Sequence, residues 1–254
     1  MISFPSFLTI HPLILILLFT FIDGLLAFVG IFSLWMSDET FSKMLLALVS
    51  LSAGALLGGA IFHLFKKSLE YVNYDTSAYI MISGLLFFFV MERYMHWHHE
   101  HKWEKDNESK IHPTSMLILF GDGIHNIFDG LIIAGSFLVS VKLGLTTSLM
   151  VFLHEIPQEL GDFGALVYYG MDKKAALIYS FLAQLTCILG GILGYFVDKA
   201  FKIFPHYLLP FAAGGFLYIS MSDLIPEIHK EKDIKKATIS AMVFVLGLLM
   251  ISLL

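Results

Sequence analysis

The sequence predicts an all-α integral membrane protein with eight transmembrane helices in one domain, residues 1–254. Three observations carry that expectation. Hydrophobic residues make up 57% of the chain and charged residues 15%, against about 25% charged in a soluble domain. The mean hydropathy is +0.78. Apolar runs of roughly 20 residues recur along the chain, the length a hydrocarbon core of about 30 Å needs at about 1.5 Å per helical residue.

Eight such runs lie near 11–35, 44–65, 77–95, 114–139, 145–169, 174–198, 204–226 and 237–254. The first lacks a basic leader and is too long for a signal-peptide core, so it reads as a retained span. The second, sixth and seventh carry small-residue stretches, "LSAGALLGGA", "GGILG" and "FAAGGF", that allow close helix contact. The fourth and fifth are interrupted by polar residues. The connections are short except "HWHHEHKWEKDNESKIH", residues 96–112, which is polar.

Loop charge sets an orientation. With the amino terminus outside, eleven of the sixteen Lys and Arg residues fall on inside loops and five on outside loops. The bias puts both termini outside and the histidine-rich loop in the cytosol. No basic block suggests nucleic acid, and the apolar runs make the lipid bilayer an expected partner. Cys187 stands alone, which excludes an intrachain disulfide and a thiolate-rich metal site.

Ionisable residues at mid-bilayer are costly and mark substrate or ion paths. The fourth span carries Asp122, His125, Asn126 and Asp129; the fifth carries His154, Glu155, Gln158, Glu159 and Asp162. Residues three and four apart share a helix face. His125 and Asp129 are so spaced, as are Asn126 and Asp129, His154 and Gln158, and Glu155 and Glu159. His125 lies roughly 18 Å from the inner edge and His154 roughly 14 Å from the outer edge, nearly one height in a core of about 30 Å. Antiparallel neighbours would bring the two stripes face to face. Imidazole, carboxylate and amide oxygen together suit Zn²⁺, Fe²⁺, Mn²⁺ or Co²⁺, held singly or as a pair with a bridging carboxylate. Because such ligands bind deprotonated, acid should weaken the site. Pro157 cannot donate to the carbonyl of Leu153, so a kink and a free carbonyl open to a cation or water are expected beside His154.

"HNIFDG" (125–130) and "HEIPQELGDF" (154–163) resemble the signatures of the ZIP (Zrt/Irt-like) family of divalent-metal transporters, in the form of its LIV-1 branch, whose fifth-span motif is HExPHELGD. "AGALLGGAIFHLF" and "FAAGGFLYISMSDLIPEIHKE" are similar to that branch as well, so the resemblance covers nearly the whole chain. It implies a ZIP-like bundle that takes up a divalent metal, zinc first and iron, manganese or cadmium next, into the cytosol across the cell membrane. The transported ion would occupy a binuclear site between spans four and five. By position His125 would serve the first metal and Asn126 the second, with Asp129 at or between them. His154, Glu155 and Gln158 take the matching fifth-span positions, Glu159 follows them, and Gln184 falls where some members offer a further ligand. ZIP members are often dimers. Two departures stand out: Gln158 replaces the signature histidine with a neutral amide, and Gly59 replaces an aspartate ahead of His63.

The expected route passes His63, reaches the His125/Asp129/His154/Glu155 cluster, and leaves near Glu227 and the loop histidines His96, His98, His99 and His101. Asp223, Glu227 and His229 would line the exit or anchor a helix end. The main alternative is an intramembrane zinc metalloprotease, which needs H-E-x-x-H on a helix. This chain reads H-E-I-P-Q at 154–158, so a non-enzymatic transporter is expected. An organic-solute carrier would need a roomier pocket and repeated halves.

Overall fold

The computed structural model describes residues 11–102, 113–202 and 204–254. Among these residues its regular structure is all helix, with no strand. We label the helices in chain order. α1 is Pro12–Gly24, continued by a 3₁₀ stretch Leu25–Trp35. α2 is Asp38–Gly59, followed by a π-helical turn Ala60–Phe65. α3 is Tyr74–Lys102, α4 Pro113–Val139 and α5 Val141–Tyr168. α6 comprises Lys173–Gln184 and Thr186–Phe201. α7 comprises Phe204–Tyr218, a π turn Ile219–Leu224 and Ile225–His229. α8 is Ile234–Ser252.

Short polar side chains start these helices by satisfying otherwise orphaned amides. Ser140 Oγ accepts from Leu143 N at 3.1 Å. Asp172 accepts from Lys174 N at 3.1 Å and Ala175 N at 3.3 Å, and Asp233 from Lys235 N at 2.8 Å. The π turn of α7 lies just before Pro226, whose ring cannot take up the regular hydrogen bond.

Seven of these helical runs are long and apolar enough to cross a membrane, among them Pro12–Phe32, Glu39–Ser68 and Tyr74–Tyr94. α5 is not one of the seven, although its 28 residues are ample in length. Its buried His154, Glu155 and Glu159 lower its hydropathy. The outward surfaces are apolar: Leu86, Phe89 and Val90 on α3, Leu189 and Leu193 on α6, and Leu246 and Leu249 on α8 are all exposed. The expected polar loop 96–112 differs in part, since the α3 backbone stays helical through Lys102. The side chains of His96, His98, His99 and His101, and residues 103–112, lie outside the described residues.

α5 sits at the centre, packed against α1, α2, α4 and α6. Around it α2 pairs with α8, α3 with α7 and α4 with α6. Glycine sets those three seams. A Cβ on Gly54 would lie 1.9 Å from Phe244 O, one on Gly214 1.9 Å from Met81 O, and one on Gly190 2.0 Å from Ile127 O. Only a residue without a side chain lets the backbones approach this closely. A Cβ on Gly59 would fall 1.6 Å from Met150 Sδ, so an aspartate there would have to displace that thioether.

Candidate metal centre

Midway along α4 and α5 the two polar stripes meet. His125 Nε2 lies 3.1 Å from His154 Nε2. His125 Nε2 is 3.5 Å from Asp129 Oδ2 and 3.4 Å from Glu155 Oε1. His154 Nε2 is 3.2 Å from the same Asp129 oxygen and 3.4 Å from the same Glu155 oxygen. Four donors thus define five measured edges of a tetrahedron. Zinc bonds of about 2.0–2.2 Å place tetrahedral ligands about 3.3–3.6 Å apart. The measured edges, 3.1–3.5 Å, fall close to that spacing. His154, Asp129 and Glu155 are buried, and Asp129 Oδ2 and Glu155 Oε1 have no hydrogen-bond partner.

His154 is aimed from behind. Its Nδ1 lies 3.1 Å from the carbonyl of Met150, one turn earlier on α5. Donating there fixes the tautomer that leaves Nε2 free as a ligand.

A second cluster joins the first through Glu155. Asp122, Glu155 and Glu159, all buried, bring one oxygen each within 4.8 Å of one another. Gln184 Nε2 donates to Glu155 Oε2 and, at 2.9 Å, to Glu159 Oε1. The amide reaches this point because α6 breaks at Leu185, where Thr186 Oγ1 donates to Ala183 O at 2.7 Å and to Gly123 O of α4 at 2.6 Å. Asn126 Nδ2 donates to Asp122 Oδ1 at 2.8 Å, and Gln158 Nε2 to the same oxygen at 3.3 Å.

The remaining expected residues lie elsewhere. His63, in the π turn of α2, has Nε2 2.5 Å from Ile251 O. Glu227 is exposed and pairs with Lys230. Asp223 and His229 are exposed too. Among the described residues, none of these four belongs to either cluster. The carbonyl of Leu153 is not left for a cation or water: Ser52 of α2 donates its hydroxyl to it. Pro157 lies inside a helix that runs unbroken from Val141 to Tyr168. Ser52→Ala should therefore lower stability by about 1–3 kcal/mol, since it strands a carbonyl deep in the bundle. A thermal melt of the detergent-solubilised chain checks this; an unchanged midpoint would show that another donor reaches Leu153.

Known proteins resemble this chain in sequence. A family profile described as "ZIP Zinc transporter" matches residues 98–254, more than half of the chain. The chain belongs to the ZIP family. Within ZIP it falls in the LIV-1 branch. It is 34% identical to zinc transporter ZIP10 of Homo sapiens over 155 residues, 57% of this chain and 19% of that protein. It is 31% identical to zinc transporter ZIP13 of Pongo abelii over 205 residues, 73% of this chain and 59% of that protein. It is 38% identical to metal cation symporter ZIP14 of Homo sapiens over 133 residues, 52% of this chain and 27% of that protein. The matched region thus spans less than two thirds of each relative's length. ZIP membership disfavours the protease alternative, and the side chain at the second zinc-histidine position is Gln158, a donor to Asp122.

Proposed function

We propose that this chain carries a divalent transition-metal ion, zinc foremost, across the cell membrane into the cytosol. The ion would pass through a binuclear seat that α4 and α5 build at mid-depth. The observation behind this reading is the set of four donors on His125, Asp129, His154 and Glu155, spaced at 3.1–3.5 Å. Two imidazoles and two carboxylates suit zinc, and iron, manganese or cadmium next. Two negative charges balance the ion, which matters where water is scarce. The relatives bear zinc-transporter and metal-cation-symporter names, which fits this donor set.

In this reading the chain is one transmembrane unit and α5 is the eighth span, its charged side chains turned into the bundle. Both termini lie outside, so ions travel from the His63 end toward the Glu227 end. A second ion sits beside the first and shares Glu155. Mutual repulsion of the pair loosens each for release. The apolar outer faces meet lipid or a second copy of the chain.

The test is uptake of radioactive zinc by proteoliposomes holding the purified chain. His125→Ala and His154→Ala should each reduce saturable uptake to the leak of empty vesicles. Uptake that stays saturable at wild-type rate in both variants would refute the seat.

A further inference from the structure

α1 carries one charge that neither cluster uses. Asp23 lies about 12 residues into the first span, roughly 18 Å deep, near the middle of a core of about 30 Å. It is fully buried, and neither of its carboxylate oxygens has a hydrogen-bond partner. Thr20, one turn earlier, gives no help, because its hydroxyl is spent on Ile16 O at 2.8 Å and Leu17 O at 3.3 Å. Buried polar groups are ordinarily satisfied, and a charge without a donor is costly at this depth.

The packing of α1 on α6 fixes what this carboxylate faces. A Cβ on Gly191 of α6 would stand 3.0 Å from Thr20 Cγ2, and one on Gly24 of α1 would stand 3.1 Å from Leu185 Cδ2. The two helices run antiparallel, so Asp23 falls opposite Cys187, between those two contacts. The thiol of Cys187, itself fully buried and the only one in the chain, lies beside the Asp23 carboxyl. Glu155 and His154 of α5 and Asp129 of α4 act on the same carboxyl electrostatically. With one doubly charged ion balanced by Asp129 and Glu155, Asp23 is a third negative charge with no cation opposite it.

We infer that Asp23 and Cys187 form a binding site for a soft divalent cation of the cadmium class, at the crossing of α1 and α6 and outside both clusters. The ion supplies the charge that Asp23 lacks and occupies its orphaned oxygens. Cys187 binds as the thiolate: its S–H bond breaks, the metal–sulfur bond forms, and the proton passes to a water shed by the ion.

The donors decide the class of ion. Hard ions such as magnesium and calcium take oxygen ligands. Thiolate draws soft ions, and the first seat, built from His125, Asp129, His154 and Glu155, offers none. Zinc is already well served by the two imidazoles of that seat. Cadmium is larger and softer than zinc and gains more from sulfur. The Asp23–Cys187 site uses none of the four donors assigned to zinc, so the two readings fail separately.

The test uses the full chain in lipid nanodiscs, titrated with Cd²⁺. Because the chain has one cysteine, any thiolate-to-cadmium charge-transfer band in the ultraviolet belongs to Cys187. Wild type should develop that band, and Cys187→Ser should not. Asp23→Asn should raise the Cd²⁺ concentration at half-development by at least about tenfold, as loss of a ligand-shell group does. Cadmium X-ray absorption of the wild-type chain needs no variant and should show sulfur among the ion's neighbours. Absence of the band or of the sulfur neighbour overturns the inference and leaves Asp23 a neutral acid packed against a thiol. A band that Asp23→Asn leaves at the wild-type concentration overturns it as well. His125→Ala separates the two sites: it should abolish saturable zinc uptake and keep the cadmium band. Loss of the band in His125→Ala overturns the separate site, whereas zinc uptake untouched by His125→Ala defeats only the zinc seat.

Discussion

Glu155→Gln is expected to reduce saturable zinc uptake by more than about a hundredfold, beyond the 10–100-fold that loss of an outer-shell partner costs. Glu155 is the one side chain common to both clusters. Its Oε1 stands 3.4 Å from each imidazole Nε2, and its Oε2 accepts from Gln184. Glutamine keeps the shape and one oxygen, so the fold has little reason to change. The charge is what disappears. Asp129 and Glu155 together balance a doubly charged ion, and Asp129 alone leaves one net positive charge at a depth where charge is poorly solvated. Proteoliposome uptake measures the loss, and circular dichroism with size-exclusion chromatography shows that the variant is folded. Uptake within about tenfold of wild type would mean that Glu155 is not a ligand.

The helices and the polar stripes were legible in the sequence because both are local. Apolar runs mark spans, and spacings of three and four put His125 with Asp129 and Glu155 with Glu159 on common faces. Equal depth of His125 and His154 followed from counting residues along two antiparallel helices. Asp122 was legible in the same way, lying four before Asn126 and three before His125, but no family signature pointed to it. What a single sequence does not show is long-range pairing. Proline chemistry frees the Leu153 carbonyl, yet nothing in the sequence nominates Ser52 as its partner. Gln184 reaches Glu155 because α6 breaks at Leu185 and Thr186 fastens the break to α4, a detail that hydropathy passes over. The same blindness hides why Gly59 is glycine. Its neighbour is Met150, whose carbonyl orients His154.

Those distant contacts depend on how closely the helices approach, and Gly190→Val should show it. At Gly190 a Cβ would stand 2.0 Å from Ile127 O, and across the same seam one on Gly130 would stand 1.9 Å from Cys187 O. Overpacking usually costs about 1–3 kcal/mol when side chains can shift aside. Here the obstacle is a carbonyl, which can retreat only if α4 and α6 move apart. A loss of at least about 3 kcal/mol follows, seen as a fall of roughly 6–12 °C in the melting midpoint of the solubilised chain. Gly164→Ala is the control, because a Cβ there meets nothing within 4 Å. It should hold or raise the midpoint, since alanine favours a helix over glycine by about 1 kcal/mol. Equal midpoints in the two variants would mean that the seam is not tight. The seam also reaches the metal centre, because separating α4 from α6 withdraws Thr186 from Gly123 and Gln184 from Glu155 and Glu159. Gly190→Ala, the milder intrusion, should therefore disturb the contacts of Gln184 with Glu155 and Glu159 more than the binding of zinc by the first seat, whose four donors all lie on α4 and α5, and isothermal titration of the solubilised chain with zinc checks this.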